Sequence, residues 1–417
     1  MEKAILVITH LKRDKSNWEI EEDAKELEEL TISSGGEVLE KIPVEIRDPN
    51  PAYFIGRGKA EEIAFIAQEK NAEVVIFNDN LSSTQQRNLE KIIQIKTIDR
   101  TQLILDIFAR HARSIEGKIQ VELAQLEYLL PRLTGKGIML SRLGGGIGTR
   151  GPGEKKLEVD RRRIKKRILK LKRDLEIIKS RRDVLRKKRK DLDIPIVAII
   201  GYTNAGKTTL LNTLTSSNEL VEDSLFSTLD AVSRRFILPD KQKILFVDTV
   251  GFLHKLPHGL IEAFKSTLEE VNEADILLHV LDISDPLAYK KKEAVYEVLA
   301  DLGAIDKPII TALNKIDRLE NREAIEKQIS RYENAVTISA LLGWGLDELI
   351  KKISLFLKSH MVPLKVFLPL KEAKLLSLIY REGKVLKEVY NDNGVYLEAI
   401  VPYLLRERIL PSQKKID

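Results

Sequence analysis

Residues 194–208 read Ile-Pro-Ile-Val-Ala-Ile-Ile-Gly-Tyr-Thr-Asn-Ala-Gly-Lys-Thr. The first seven are apolar and largely β-branched, the pattern of a buried parallel strand. The next eight fit the phosphate-binding loop, in which glycines let backbone N–H groups face the α- and β-phosphates at the start of a helix. Gly201, Tyr202, Thr203, Asn204, Ala205, Gly206, Lys207, Thr208 and Thr209 are therefore candidate nucleotide contacts. Lys207 is expected to reach the β- and γ-phosphates, and the Thr208 hydroxyl to ligate Mg²⁺. A strand running into a glycine loop and then a helix predicts an α/β fold with a Ras-like, phosphate-loop GTPase domain.

Three further strings follow in fixed order, the first two each after a strand-like run: Asp248-Thr-Val-Gly251, Asn314-Lys-Ile-Asp317 and Ser339-Ala340. An unrelated α/β core with loop-like letters is the competing reading, and the ordered set argues against it. Guanine presents N1–H and N2–H₂ donors where adenine presents a lone N1 acceptor, so a carboxylate at that edge selects GTP over ATP. Asp317 is the candidate carboxylate. Asn314 would brace the loops near guanine N7, the Lys315 stem would cover one face of the base, and the Ala340 N–H, after Ser339, would meet O6. Asp248 is placed to hold Mg²⁺ through water, and the Gly251 N–H to sense the γ-phosphate. Between them, Leu225-Phe-Ser-Thr-Leu-Asp230 reads as a switch segment. Phe226, Ser227 and Thr228 count as nucleotide contacts there, with the Thr228 hydroxyl closing onto Mg²⁺.

Ras-type GTPases place a Gln after Asp-x-x-Gly to orient the attacking water, but Phe252 stands here and a phenyl ring cannot hydrogen-bond water. The catalytic residue is thus not named by the sequence. Turnover is expected to be slow alone and to rise when a partner completes the site. His254 and His258 follow in the same switch and read most simply as exposed loop histidines.

At 417 residues without cysteine, the chain predicts several domains with no disulfide framework and no thiolate metal site. No run of 18 apolar residues predicts a membrane span, and the N-terminus lacks a signal-peptide layout, so the expectation is a soluble, cytoplasmic, monomeric protein. Three Met and 32% charged residues are the direction in which thermophile proteins drift.

Residues 154–190 hold 19 Lys/Arg against 6 Asp/Glu, a net +13, so the rest of the chain stands at −7 against a total of +6. Without an aromatic in the block, this charge suits phosphate backbones and carries no base-reading signal. A solvated helix face is the plain alternative. Leu157, Ile164, Ile168, Leu171, Leu175, Ile178 and Leu185 are spaced as a coiled-coil seam, and Ile115, Ile119, Leu123, Leu126, Leu130 and Leu133 form a matching one. Between them, 134–153 is too glycine-rich for a helix. The spacing predicts an antiparallel helical hairpin about 30–50 Å long at 1.5 Å per residue, tipped by a basic loop. Lys136, Arg142 and Arg150 in the tip, with Arg161, Arg162, Arg163, Lys165 and Lys166 on the helix, are the candidate RNA contacts.

The first hundred residues alternate strand-like and helix-like stretches, predicting a small parallel α/β domain. Phe54-Ile-Gly-Arg-Gly-Lys59 enters a helix and reads either as an anion or second-nucleotide loop or as a plain turn. Residues 364–417 predict a small α/β domain around the turn at Asn391-Asp-Asn-Gly394. The expected division is 1–110, an N-terminal α/β domain; 111–192, the basic hairpin; 193–360, the GTPase domain; and 361–417, a C-terminal domain.

The order of these parts, with Gly144-Gly-Gly-Ile-Gly-Thr-Arg-Gly-Pro-Gly-Glu154, Gly201–Lys207, Asp248–Phe252 and Asn314–Asp317, resembles the HflX family of ribosome-associated GTPases. The likeness covers roughly residues 1–360. It implies binding to the large (50S) ribosomal subunit and its rRNA, with GTP-dependent splitting or recycling of stalled or idle ribosomes. Alternatives from other classes are an assembly or anti-association GTPase and an ATP-dependent rRNA remodeller, since some members are reported to bind ATP through the N-terminal part.

Overall fold

The structure is a computed structural model that describes residues 1–11, 18–133, 152–191, 194–215, 225–226, 232–239, 242–255, 257, 260, 265–319, 332, 334–359, 361–391, 393–402, 405–406 and 409–410. These fall into two compact units. The first comprises Met1–Arg182, Leu220–Asp230 and Val250–Leu268; the second comprises Asp183–Glu219, Ala231–Thr249 and Glu269–Asp417.

In the first unit, β1 (Glu2–Leu11), β2 (Gly36–Ile46), β3 (Val74–Phe77) and β4 (Lys96–Asp99) form an all-parallel sheet in the order β2-β1-β3-β4. Ala4–Ile8 are fully buried, as the central position of β1 between two neighbours requires. The helices α1 (Ile20–Ser33), α2 (Arg57–Glu69), α3 (Ser83–Ile93) and α4 (Arg100–His111) alternate with the strands. Their starts obey capping chemistry: Ser82 accepts from the Gln85 N–H and Asp99 from the Gln102 N–H. The parallel α/β expectation for this region is met.

The loop 54–59 turns into α2, which begins at Arg57. Arg57 pairs with Glu61 and Lys59 with Glu62. A Cβ on Gly56 or Gly58 would meet no protein atom within 4 Å.

The hairpin helices are α5 (Ile115–Arg132) and α6 (Pro152–Asp191). Leu123, Ile168 and Leu171 form their buried seam, flanked by Ile119, Leu126, Leu130, Ile164 and Leu175. Ion pairs Arg167–Glu122, Lys172–Glu127 and Arg182–Glu116 bridge the two helices. Two details depart from expectation. Ile115 is 77% exposed, at the first position after the cap Ser114. At 40 residues, α6 is about 60 Å long at 1.5 Å per residue, longer than expected. The end of α5 next to the tip loop is fixed to the sheet through buried Asp99, which accepts from Tyr128 Oη at 2.8 Å and from Arg132 Nη2 at 3.2 Å. The side chains of Leu157 and Leu185 and the tip loop lie outside the described residues.

In the second unit, six strands are ordered β10-β9-β8-β5-β7-β6: β5 (Ile196–Gly201), β6 (Val232–Ile237), β7 (Lys243–Asp248), β8 (Ile276–Asp282), β9 (Ile309–Asn314) and β10 (Ala335–Thr337). All pair in parallel except β6, which runs antiparallel to β7. The helices are α7 (Lys207–Thr215), α8 (Lys265–Glu273, divided between the two units), α9 (Ala288–Asp301) and α10 (Leu346–Ser359). An antiparallel sheet of β11 (Met361–Pro369), β13 (Gly394–Pro402) and β12 (Lys384–Asn391) packs on α11 (Ala373–Glu382) through its own apolar cluster. Among the described residues no helix is long and apolar enough to cross a membrane.

Candidate nucleotide site

The buried strand β5 ends at Gly201, where φ is +150° and a Cβ would stand 2.3 Å from the Val280 carbonyl oxygen. Only glycine fits between the loop and the neighbouring strand. The loop closes at Gly206, where φ is +93° and a Cβ would lie 2.4 Å from Asn314 Nδ2. That missing side chain lets the third motif touch the first. Asn314 Nδ2 donates to the Ala205 carbonyl at 2.8 Å, and Asn314 Oδ1 accepts from the Ala340 N–H at 2.9 Å. A single buried amide thus joins three of the four strings.

Lys207 begins α7 and is buried; its ammonium donates to the Tyr202 carbonyl at 2.8 Å and the Gly201 carbonyl at 3.3 Å. Burial pulls its pKa down to about 8 against the opposing pull of Asp248. Burial likewise raises Asp248 to about 6, although Lys207, Thr208 and Thr249 favour its ionised form. Thr208 Oγ1 donates to Asp248 Oδ2 at 2.7 Å, while Asp248 Oδ1 is buried without a hydrogen-bond partner among the described residues. A hydroxyl and a carboxylate side by side, with one oxygen unsatisfied, make an oxygen donor set suited to Mg²⁺.

At the base end, Lys315 takes a left-handed backbone with φ +65° and donates to the Asn204 carbonyl at 2.8 Å. Asp317 lies half-buried in the turn Ile316–Arg318. Ser339 and Ala340 are buried, and the Ala340 carbonyl accepts from Thr213 Oγ1 of α7 at 2.7 Å.

The other predicted contacts belong to the first unit. Phe226 is buried edge-on against Phe108, with ring centroids 4.6 Å apart. Gly251 and Phe252 line a small apolar cavity with Phe108, Phe226, Val250, Leu260 and Leu268. Phe252 is 1% exposed, so its ring serves packing. His254 overturns the expectation of an exposed loop histidine. It is buried, stacks on Trp18 at 4.3 Å with 11° between the rings, and its carbonyl accepts from Arg100 Nη2 at 2.8 Å. Arg100 is itself paired with buried Glu26. Ser227, Thr228 and His258 lie outside the described residues, as do Lys136, Arg142 and Arg150. On α6, Arg162 pairs with Glu158 and Arg163 with Asp160, while Lys165 and Lys166 are exposed and Arg161 half-exposed.

Sequence reasoning missed Thr213, Asp282, Trp18, Phe108 and Arg100. None lies in a motif, and Arg100 is 154 positions from its His254 contact.

Family profiles match along almost the whole chain: GTP-binding GTPase N-terminal at 21–109, GTP-binding GTPase Middle Region at 111–189, 50S ribosome-binding GTPase at 196–315 and HflX C-terminal domain at 324–401. GTPase HflX of Caldanaerobacter subterraneus subsp. tengcongensis is 47% identical over 98% of this chain and 93% of its own. The chain belongs to the HflX family of GTPases. GTPase HflX of Escherichia coli is 41% identical over 99% of this chain and 96% of its own. Among solved structures, a GTP-binding protein of Sulfolobus solfataricus in complex with GDP shares 27% identity over 85% of this chain and 98% of its own, with a TM-score of 0.43. As an HflX GTPase, this chain binds GTP and converts it to GDP and phosphate.

Proposed function

We propose that this HflX chain is a cytoplasmic, monomeric, Mg²⁺-dependent GTPase that binds the large ribosomal subunit and its rRNA and splits stalled or idle ribosomes. The division at 1–110, 111–192, 193–360 and 361–417 is our own reading, in which the hairpin carries the RNA contacts and the third part the nucleotide. The observation that carries the reading is the coexistence of one asparagine-braced nucleotide site with a 40-residue helix bearing the chain's whole basic excess.

The roles follow from chemistry. With nucleotide bound, Lys207 turns from the loop carbonyls to the β- and γ-phosphates. Mg²⁺, when present, supplies positive charge to the phosphate oxygens and is held by Thr208, by Asp248 through water, and by Thr228. Asp317 accepts the guanine N1–H and N2–H₂, Asn314 faces N7, and the Ala340 N–H turns to O6. The Gly251 N–H reads the γ-phosphate. Phe252 leaves the attacking water unplaced, so hydrolysis is slow until the ribosome completes the site. Lys165, Lys166 and Arg161, with the tip cations Lys136, Arg142 and Arg150, meet phosphate backbones; Arg162 and Arg163 join them once released from their exposed partners, at little cost.

Light scattering of intact ribosomes with GTP, a non-hydrolysable GTP analogue or ATP tests this reading. Dissociation with GTP and with the analogue is expected. Binding without dissociation would favour an anti-association or assembly role, and a requirement for ATP would favour an rRNA remodeller.

A further inference from the structure

Two non-glycine residues at the base end hold left-handed backbone, Asn204 with φ +58° and Lys315 with φ +65°. Such conformations persist where surrounding contacts over-determine them. One ammonium joins the pair. Lys315 Nζ donates to the Asn204 carbonyl at 2.8 Å and lies 2.8 Å from Asp282 Oδ2. Asp282 ends β8 and belongs to none of the four motifs. Its other oxygen, Oδ1, accepts from the Ser284 N–H at 3.0 Å and from Ser284 Oγ at 2.6 Å. The carboxylate is therefore aimed: one oxygen is occupied by Ser284 and the second is offered to Lys315. Both partners are about one-sixth exposed, at 15% and 16%, so water screens the pair only in part.

We propose that Asp282 is a positioning residue for guanine. It holds the Lys315 ammonium at the phosphate loop, so that the aliphatic stem between backbone and ammonium lies fixed as an apolar wall for one face of the base. A free lysine must order its four-carbon stem each time a base arrives; one tethered at both ends does not. The same tether links the base loop to Asn204, so a displaced base loop disturbs the phosphate loop as well. This inference rests on the reading of Asn314–Asp317 as the base loop.

The test is release of methylanthraniloyl-GDP from the full chain, followed by fluorescence. Asp282→Asn keeps the shape and removes the charge, and release should accelerate about tenfold, the range for losing a hydrogen bond to an ionised group. Ser284→Ala leaves the carboxylate in place but loosens its aim, with about threefold acceleration expected. In a Lys315→Met background, which keeps a stem and removes the ammonium, Asp282→Asn should add less than a twofold change, because two residues acting through one contact are not additive. An equal tenfold effect in that background would show that Asp282 acts on the fold and not through Lys315, and would overturn the proposal. Unchanged release in both single variants would overturn it too. Melting curves are recorded alongside: lowered melting with unchanged release counts against it, and if Asp282→Asn does not fold, Ser284→Ala carries the decision. Loss of the base assignment would appear separately, as a failure of Asp317→Asn to switch the chain to xanthine nucleotides, and would remove the proposal with it.

Discussion

The phosphate and base loops are held together by short polar contacts, whereas the two segments that lie between them in sequence combine aromatic packing with a few polar contacts. Around the loop, Asn314, Lys315, Thr208 and Thr213 place donors within 2.9 Å of carbonyl or carboxylate oxygens. Such contacts demand exact geometry and leave the loop one arrangement. Phe226 and His254 rest on the rings of Phe108 and Trp18 in the first unit, beside hydrogen bonds from the Leu225 N–H to Ser33 Oγ and from Arg100 to the His254 carbonyl, and an aromatic surface tolerates sliding more readily than a hydrogen-bond network does. The difference separates the frame we propose to read the nucleotide from the segments we propose to act as switches.

The largest expected effect breaks the polar side. Lys207→Ala removes the only side-chain cation of the loop, and GTP affinity should fall at least about a hundredfold with the circular dichroism spectrum unchanged, since a phosphate contact in a buried site is charge-assisted. Retained affinity by calorimetry would discredit the loop as the phosphate site. On the aromatic side, Phe108→Ala should destabilise the chain by about 3–5 kcal/mol in urea unfolding, through lost burial and the cavity left behind. GDP affinity should stay within about twofold, and a tenfold loss would erase the distinction between frame and switch.

A smaller effect concerns His279, buried in β8 with neither ring nitrogen hydrogen-bonded among the described residues and its pKa pushed down to about 3, by burial first and then by Lys292 and Lys207. Because the folded state holds this imidazole neutral, the unfolded state binds the extra proton below the ordinary value of 6.5. Stability should therefore fall as pH drops from about 6.5 toward 3, by about 1.4 kcal/mol per pH unit well below 6.5, and should not respond to this group above pH 7. His279→Leu should flatten that limb of a denaturation series, and an unchanged slope would refute the assignment. The smallest effect on the fold is expected on α6. Arg161, Arg162, Lys165 and Lys166 changed together to Ala should shift stability by less than about 1 kcal/mol. The same change should weaken ribosome binding and flatten its dependence on salt, because fewer counterions are released. Binding with an unaltered salt slope would mean that the basic face does not meet RNA.

Local rules made much of this molecule legible. The apolar run ending at Gly201 yields β5, the seams at Leu123 and Ile168 yield the hairpin, and alternation in the first hundred residues yields a parallel sheet. Each depends on spacing within one or two elements. Periodicity does not report partners far along the chain. Hence the burial of His254 against Trp18 and the anchoring of Phe226 on Phe108 were invisible, although both aromatics stand in plain view in the sequence. Ile115 shows the opposite failure: its spacing fits the seam, yet at the helix start its side chain is exposed. Within the site, the fold brings three of the motif strings together at Asn314, while Asp282 and Thr213 escape a reading by motif because a carboxylate at a strand end and a threonine on a helix carry no signal of their own.

The central claim joins guanine recognition to an act on the ribosome, and one measurement addresses both. Ribosome dissociation is followed by light scattering with the Asp317→Asn chain, supplied with GTP or with xanthosine triphosphate, whose carbonyl at position 2 accepts a hydrogen bond where guanine donates. The amide exchanges an acceptor for a donor, so dissociation should be lost with GTP and restored with xanthosine triphosphate. Dissociation that persists with GTP and gains nothing from xanthosine triphosphate would contradict the account.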